Sequence, residues 1–198
     1  MYIISRIHGP VISNAVDMLK RLFSPKPYTK ESRVLYAAIV ARSREPYFYA
    51  ELGVPDTVDG RFDMIVLHAW LVFRRLRELD QFELSQALFD EMFADMDDNL
   101  RRIGIGDMSV GKNVKRMAEA LYGRMNAYDE AILEGDKALI EVLRRNAYGT
   151  VEQPNGAGLA AMAGYVRRQI ATPSHTPTED LVRGEIGFTG THEQGAAG

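Results

Sequence analysis

Apolar residues recur with helical period along almost the whole chain. Between residues 11 and 23, Val11, Ile12, Ala15, Val16, Leu19, Leu22 and Phe23 fall on one stripe, behind Pro10, which suits the start of a helix. Val34, Leu35, Ala38 and Ile39 repeat the pattern over residues 30–43, and Pro46 stops it. A short turn, YFYAEL, ends at Gly53, a residue suited to capping a helix C-terminus. Pro55, Asp56 and Thr57 then supply a turn and a capping side chain for the next helix.

That helix, predicted over residues 62–79, is the most apolar in the chain. Met64, Ile65, Val66, Leu67, Ala69, Trp70, Leu71, Val72 and Phe73 leave it almost no polar face, and a helix apolar all round belongs in a core. Further helices are predicted over residues 82–103, 109–133, 136–147 and 159–170, and no strictly alternating run precedes Pro173. The expected fold class is therefore all-α: a single domain of six or seven helices around the central helix at 62–79, with a mobile C-terminal tail. Residues 1–28 are expected to form an N-terminal amphipathic helix and linker, residues 29–172 the helical domain, and residues 173–198 a flexible tail. Within that tail, rich in Pro, Thr, Gly and Ser, EIGF at 185–188 can dock as a short extended piece.

Composition narrows the function classes. The 198 residues are 46% hydrophobic and 26% charged, ordinary values for a globular chain with a real core, and the net charge of −3 gives no global field that asks for DNA. Cysteine is absent, which removes disulfides, thiolate metal sites and cysteine nucleophiles. No run approaches the roughly 18 apolar residues that a membrane span needs, and the N-terminus matches neither a secretory signal nor a transit peptide. The expected location is cytoplasmic, with peripheral attachment to the inner face of the inner membrane as an extension. Lys20 and Arg21 beside the apolar stripe of residues 11–23 would support weak attachment to an anionic surface.

Three stretches imitate chemistry. GIGDMSVGKN, residues 104–113, has the glycine and lysine spacing of a phosphate-binding loop. That chemistry needs a buried strand before the loop and a Ser or Thr after the lysine; a charged amphipathic helix precedes it here, and Asn113 follows Lys112. The expected structure is a helix–loop–helix connection, with Gly104 as C-cap and Asp107 or Ser109 as N-cap. Asp95, Asp97 and Asn99 match the first ligands of a calcium loop, but Leu100 stands where glycine should be and Gly106 where glutamate should be. His68 lies inside the apolar helix with no ligand at helical spacing, so a hydrogen-bonded core histidine is expected rather than a metal ligand. His8, His175 and His192 have no carboxylate pattern around them. No nucleophilic serine setting or paired carboxylate stands out, so no enzyme, cofactor or metal is expected.

The arginine pairs Arg74-Arg75, Arg101-Arg102, Arg144-Arg145 and Arg167-Arg168 all fall near predicted helix C-termini, where cations offset the helix dipole. The alternative is a basic patch, with Lys112, Lys115, Arg116 and Arg124, that meets anionic lipid or ribosomal RNA.

Residues 35–77, LYAAIVARSREPYFYAELGVPDTVDGRFDMIVLHAWLVFRRLR, together with LGVPDTVDGRFDM (52–64) and DMSVGKNVKRMAEALYGR (107–124), resemble the recurring blocks of the ubiquinol–cytochrome c chaperone family, assembly factors of the cytochrome bc1 complex. The resemblance spans about residues 30–148; the first 25 residues and the tail after Pro173 add little to it. It implies an assembly chaperone that binds and holds newly made cytochrome b, the membrane-embedded haem-carrying subunit, and it carries no catalytic residues over. Mitochondrial members work with a small partner protein near the ribosome exit. Without a presequence or anchoring extension, this chain looks like a compact bacterial-type member, for which that partner stays unknown. A helical adaptor for a soluble partner and a small nucleotide-binding regulator are the alternatives.

A holder of apolar membrane segments needs an adaptable hydrophobic surface, and flexible, polarizable methionine suits one. Met92 and Met96 on one helix, Met117 and Met125 on the next, and Tyr47, Phe48 and Tyr49 after Pro46 are the expected client-binding residues. The competing roles are core filling for the methionines and wedging of the short turn for the three aromatics.

Overall fold

A computed structural model of the chain describes residues 28–102, 104, 106–171, 178–184, 186–188 and 190. The predicted helix at 11–23 lies outside these residues, as does most of the N-terminal segment and part of the predicted tail.

Every described element is helical or a connection. Six long helices are α1 (Thr29–Ser43), α3 (Val58–Glu78), α4 (Phe82–Arg102), α5 (Asp107–Glu134), α6 (Asp136–Asn146) and α7 (Gly156–Ala171). Two five-residue helices complete the set, α2 (Pro46–Ala50) and α8 (Thr178–Val182). The all-α expectation and the predicted helices from residue 29 onward are thereby met, with ends displaced by at most four residues.

The displaced ends have local causes. Thr57 caps α3 as its pattern suggested, its hydroxyl accepting from the Gly60 amide at 3.1 Å, so α3 starts at Val58, ahead of the apolar run. Gly60 is required there, because a Cβ would stand 2.0 Å from the Pro55 carbonyl oxygen. At the other end the Gln81 amide bonds the Leu76 carbonyl (2.8 Å) and the Asp80 amide bonds that of Arg77 (3.2 Å). These are the two bonds of a Schellman motif, with Asp80 at φ 55° in the position glycine usually takes. At the next junction Gly104 has φ 86°, the expected C-cap geometry. The N-cap of α5 is Gly106 rather than Asp107 or Ser109; Asp107 is already the first helical residue.

α3 is the central helix. From Met64 to Phe73 only Ile65 escapes full burial, because α3 packs against α1, α4 and α5, and Tyr165 of α7 reaches it as well. Around this spine α1 lies on α4, α4 on α5, α5 on α6, and α6 on α7. Of the segment after Pro173, the described part rests on this body: Leu181 is buried, Ile186 and Phe188 pack on the core, and the short docked piece lies where EIGF was expected.

Candidate functional site

The stretch from Ser43 to Phe73 carries most of the buried polar chemistry. His68 is completely enclosed. Its Nδ1 lies 2.8 Å from the Met64 carbonyl oxygen, which can only accept, so Nδ1 carries the proton. Its Nε2 then accepts from the Tyr165 hydroxyl at 2.9 Å. Tyr165 in turn accepts from Arg42 Nε at 3.1 Å, and Arg42 Nη1 reaches Glu45 Oε1 at 2.7 Å. A polar chain thus runs from the partly exposed Glu45 through α1 and α7 into the middle of α3. Ser43 sits beside it, donating to the Ile39 carbonyl at 2.7 Å, with its oxygen 3.2 Å from His68 Nδ1.

Burial sets the charge state of this chain. It pushes the His68 pKa down to about 4, with the Arg42 cation adding to the shift against the Met64 hydrogen bond. It pushes the Tyr165 phenol up to about 12, against the Arg42 guanidinium. At neutral pH His68 is a neutral imidazole with both nitrogens engaged: the hydrogen-bonded core histidine that its position implied. Phe48, Tyr165 and Phe188 pack their rings around it, with centroids 5.2, 5.8 and 5.4 Å away.

The segment before α3 is pinned by distant contacts. The Leu52 carbonyl accepts from the Tyr148 hydroxyl at 2.9 Å, and Gly158 lies so close that a Cβ would stand 2.4 Å from the same oxygen. Asp56 and Arg61 form an ion pair at 2.5 Å across the start of α3. Between α2 and this segment opens a cleft of about 610 Å³ lined by Arg44, Pro46, Tyr49, Ala50, Asp56 and Arg61. The Tyr49 hydroxyl donates to the Ser43 carbonyl at 2.6 Å, which turns the half-buried ring along the cleft wall.

The expected client residues separate by burial. Phe48, Met92, Met96 and Met125 are buried in the core cluster, which corrects the expectation of a client surface at these four positions. The reason is rotational: Leu84, Leu88, Met92 and Met96 share one stripe of α4, and that stripe faces the core. Tyr47, Tyr49 and Met117 are half-buried and keep solvent access. The half-exposed aromatics Phe89, Phe93 and Tyr122, stacked at 4.4 and 5.5 Å between α4 and α5, went unselected because their spacing resembles ordinary core filling. Tyr165, Phe188 and Arg42 give no sequence signal either: Arg42 stands more than 100 positions before the other two, and lone residues so placed leave no spacing to read.

Most members of the arginine pairs meet acids. Arg101, Arg102 and Arg144 pair with acids three or four residues away on their own helices, at Asp97, Asp98 and Glu141. Arg74 and Arg77 cross to Asp129 on α5, which also accepts from the Trp70 indole at 2.9 Å. Arg167 ties α7 to Asp136 on α6. Arg124, assigned to the basic alternative, turns inward to Asp63 with 2.8 Å between Nε and Oδ1, its N–H aimed off the oxygen. Desolvation outweighs that ion pair and raises Asp63 to about 6. The GIGDMSVGKN stretch forms the expected helix–loop–helix junction. Gly111 and Lys112 lie within α5, and the Ser109 and Val110 amides are bonded to the Gly106 carbonyl, unavailable to a phosphate. Asp95, from the calcium-like stretch, accepts instead from Tyr36 at 2.8 Å and Asn99 at 3.0 Å. Among the described residues no group of three or more His, Cys, Asp or Glu could hold a metal, and no helix is long and apolar enough to cross a membrane.

Fold and site together define an all-α protein in which a buried polar chain of Arg42, Tyr165 and His68 joins α1, α7 and α3. The ubiquinol–cytochrome C chaperone family matches residues 50–188, and this chain belongs to that family. The match begins later than the sequence resemblance suggested and extends through the docked piece at Phe188, beyond Pro173, where the resemblance added little. The chain is 24% identical over 155 residues to ubiquinol-cytochrome-c reductase complex assembly factor 1 of Xenopus laevis, covering 77% of each chain. It is 26% identical over 165 residues to "Protein CBP3, mitochondrial" of Saccharomyces cerevisiae, 80% of this chain but 49% of the yeast protein. It thus spans about half the length of that relative. The crystal structure of the Cbp3 homolog from Brucella abortus superposes with a TM-score of 0.70 and 31% identity, over 90% of this chain and 98% of that one.

Proposed function

We propose that the protein is an assembly factor for the cytochrome bc1 complex that binds and holds newly made cytochrome b without catalysing a reaction. The family match across residues 50–188 carries this reading, since relatives in that family bear the name ubiquinol–cytochrome c reductase complex assembly factor. The form of the molecule agrees with it. A holder needs a rigid body and a surface where apolar segments rest reversibly. The His68 network stiffens the body, and Tyr47, Tyr49 and Met117 give half-exposed apolar contacts. Tyrosine suits such a rim because its ring supplies apolar area while its hydroxyl stays hydrogen-bonded. The client surface proposed here centres on Tyr47 and Tyr49 beside the Arg44–Arg61 cleft.

Such a factor meets its client at the cytoplasmic face of the inner membrane, peripherally attached. The test is an affinity pull-down from native membranes after mild crosslinking. Cytochrome b is expected among the captured proteins; capture of soluble proteins alone would favour the helical-adaptor alternative.

A further inference from the structure

Beyond α8, residues 186–188 pack on the body without belonging to a helix. The course of this strap can be traced from its contacts. Gly184 sits against the start of α1, where an added Cβ would stand 2.7 Å from the Glu31 carbonyl oxygen and 3.1 Å from Val34 Cβ. Phe188 sits near the other end of α1, its ring 5.7 Å from the Arg42 guanidinium and 5.4 Å from the His68 ring. The described residues of this strap thus lie along α1, with Ile186 and Phe188 as its apolar teeth.

The seat beneath the strap has a defined chemistry. Its aromatic end is made by His68, Tyr165 and Phe48, and Arg42 stands over both the Tyr165 and Phe188 rings. Because His68, Tyr165 and Arg42 satisfy one another, this end presents ring faces and no buried donor that demands a polar ligand. The seat is also shallowly filled. Ile186 and Phe188 are only half-buried, Gly187 is exposed, and Val34 beside the strap is 41% exposed.

We propose that this groove along α1 is a client site that accepts an extended apolar segment with an aromatic tooth, and that residues 186–188 occupy it as an internal stand-in. This deepens the holding function proposed above and rests on it. An occupied groove lowers apparent affinity by the fraction of molecules in which it is open, so releasing the strap raises affinity with no new contact.

The test uses the full chain and a variant carrying Ile186→Ser and Phe188→Ser together. The probe is a fluorescent peptide of sequence GEIGFT (residues 184–189), with GESGST as control. A photoreactive residue at Val34 reports where the peptide sits, and recovery of cytochrome b from crosslinked membranes is measured in parallel. The expected result is about tenfold tighter peptide binding by the variant, capture at position 34, no binding of the control, and increased cytochrome b recovery. Equal peptide affinity in variant and parent, or binding without capture at position 34, overturns the proposal. Peptide capture with cytochrome b recovery unchanged from the parent also overturns it, because the groove then seats only its own strap; recovery by the parent would leave the holding function standing. If parent and variant both recover no cytochrome b, the holding function fails and the client site falls with it, while the peptide arm still reports whether the groove binds apolar chain. Phe188→Leu guards against loss of folding: it keeps an apolar tooth and is expected to bind peptide like the parent, and tight binding by it would count against the stand-in role.

Discussion

Around His68 the side chains that join α1, α3 and α7 come from positions as distant as Arg42 and Tyr165, 123 residues apart. At the far end of the α4–α5 hairpin the polar contacts join neighbours three or four apart: Arg101 with Asp97, Asn113 with the Ser109 carbonyl, Arg116 with Asn113, Lys115 with Glu119. The first region is buried and fixes how three helices sit together. The second is mostly exposed and fixes only its own turns. Damage to the first should therefore spread through the fold, while the second can change with little cost, and exposed local pairs of this kind contribute only about 0.3–0.5 kcal/mol each.

The sharpest way to break this contrast is Phe48→Ser. The ring is fully buried against His68 and Tyr165, and removing a buried Phe costs about 3–5 kcal/mol. At roughly 2–4 °C per kcal/mol for a chain of this size, calorimetry should show a Tm lowered by about 10 °C. Met96→Ser should follow closely, since its side chain is also buried. An unchanged Tm in either would mean that the core is assigned wrongly.

Tyr165→Phe is a smaller cut in the same region. It removes the hydroxyl between Arg42 and His68 while keeping the ring, leaving His68 Nε2 buried without a donor. The cost of such an orphan is about 1–3 kcal/mol, which denaturant unfolding resolves.

Acidification probes the buried groups without mutation. The His68 pKa is lowered to about 4 in the fold from 6.5, so its contribution to stability is complete above pH 6.5 and is lost as pH falls toward 4. The Asp63 pKa is raised to about 6 from 3.8, so its contribution is complete below pH 3.8 and is lost as pH rises through 6. Between pH 4 and 6 the two oppose each other. Asp63→Asn removes one of them, and its stability should fall more steeply with acidification than the parent's. A parallel pair of curves would contradict the assignment.

The hairpin end supplies the smallest effect. Lys112 is exposed, and Lys112→Ala should shift stability by less than about 0.5 kcal/mol. Nucleotide titration with magnesium should show no binding in either form; measurable ATP hydrolysis abolished by this substitution would restore the phosphate-loop interpretation.

The same contrast explains what the sequence could disclose. Helices with local causes were legible: the apolar run of α3, the Thr57 cap, the turn at Gly104. The Asp80 cap was missed because aspartate stands where glycine normally signals the turn, and the Gly106 cap because it has no capping side chain. Burial of Met92 and Met96 was not legible, because spacing places them on one stripe without saying which neighbour the stripe meets. Nor was the site, since Tyr165, Arg42 and Phe188 converge on His68 only through the tertiary fold.

The central claim is that a stiff helical body holds cytochrome b at a surface rimmed by Tyr47 and Tyr49. The most direct measurement is recovery of cytochrome b from crosslinked native membranes by the parent and by a variant carrying Tyr47→Ser and Tyr49→Ser together, with Tm recorded for both. Both rings are half-buried, so the variant should stay folded, with its Tm lowered by much less than that of Phe48→Ser, yet lose most of the cytochrome b that the parent captures. Capture at the parent level by a folded double variant, or no capture by the parent, would contradict the claim.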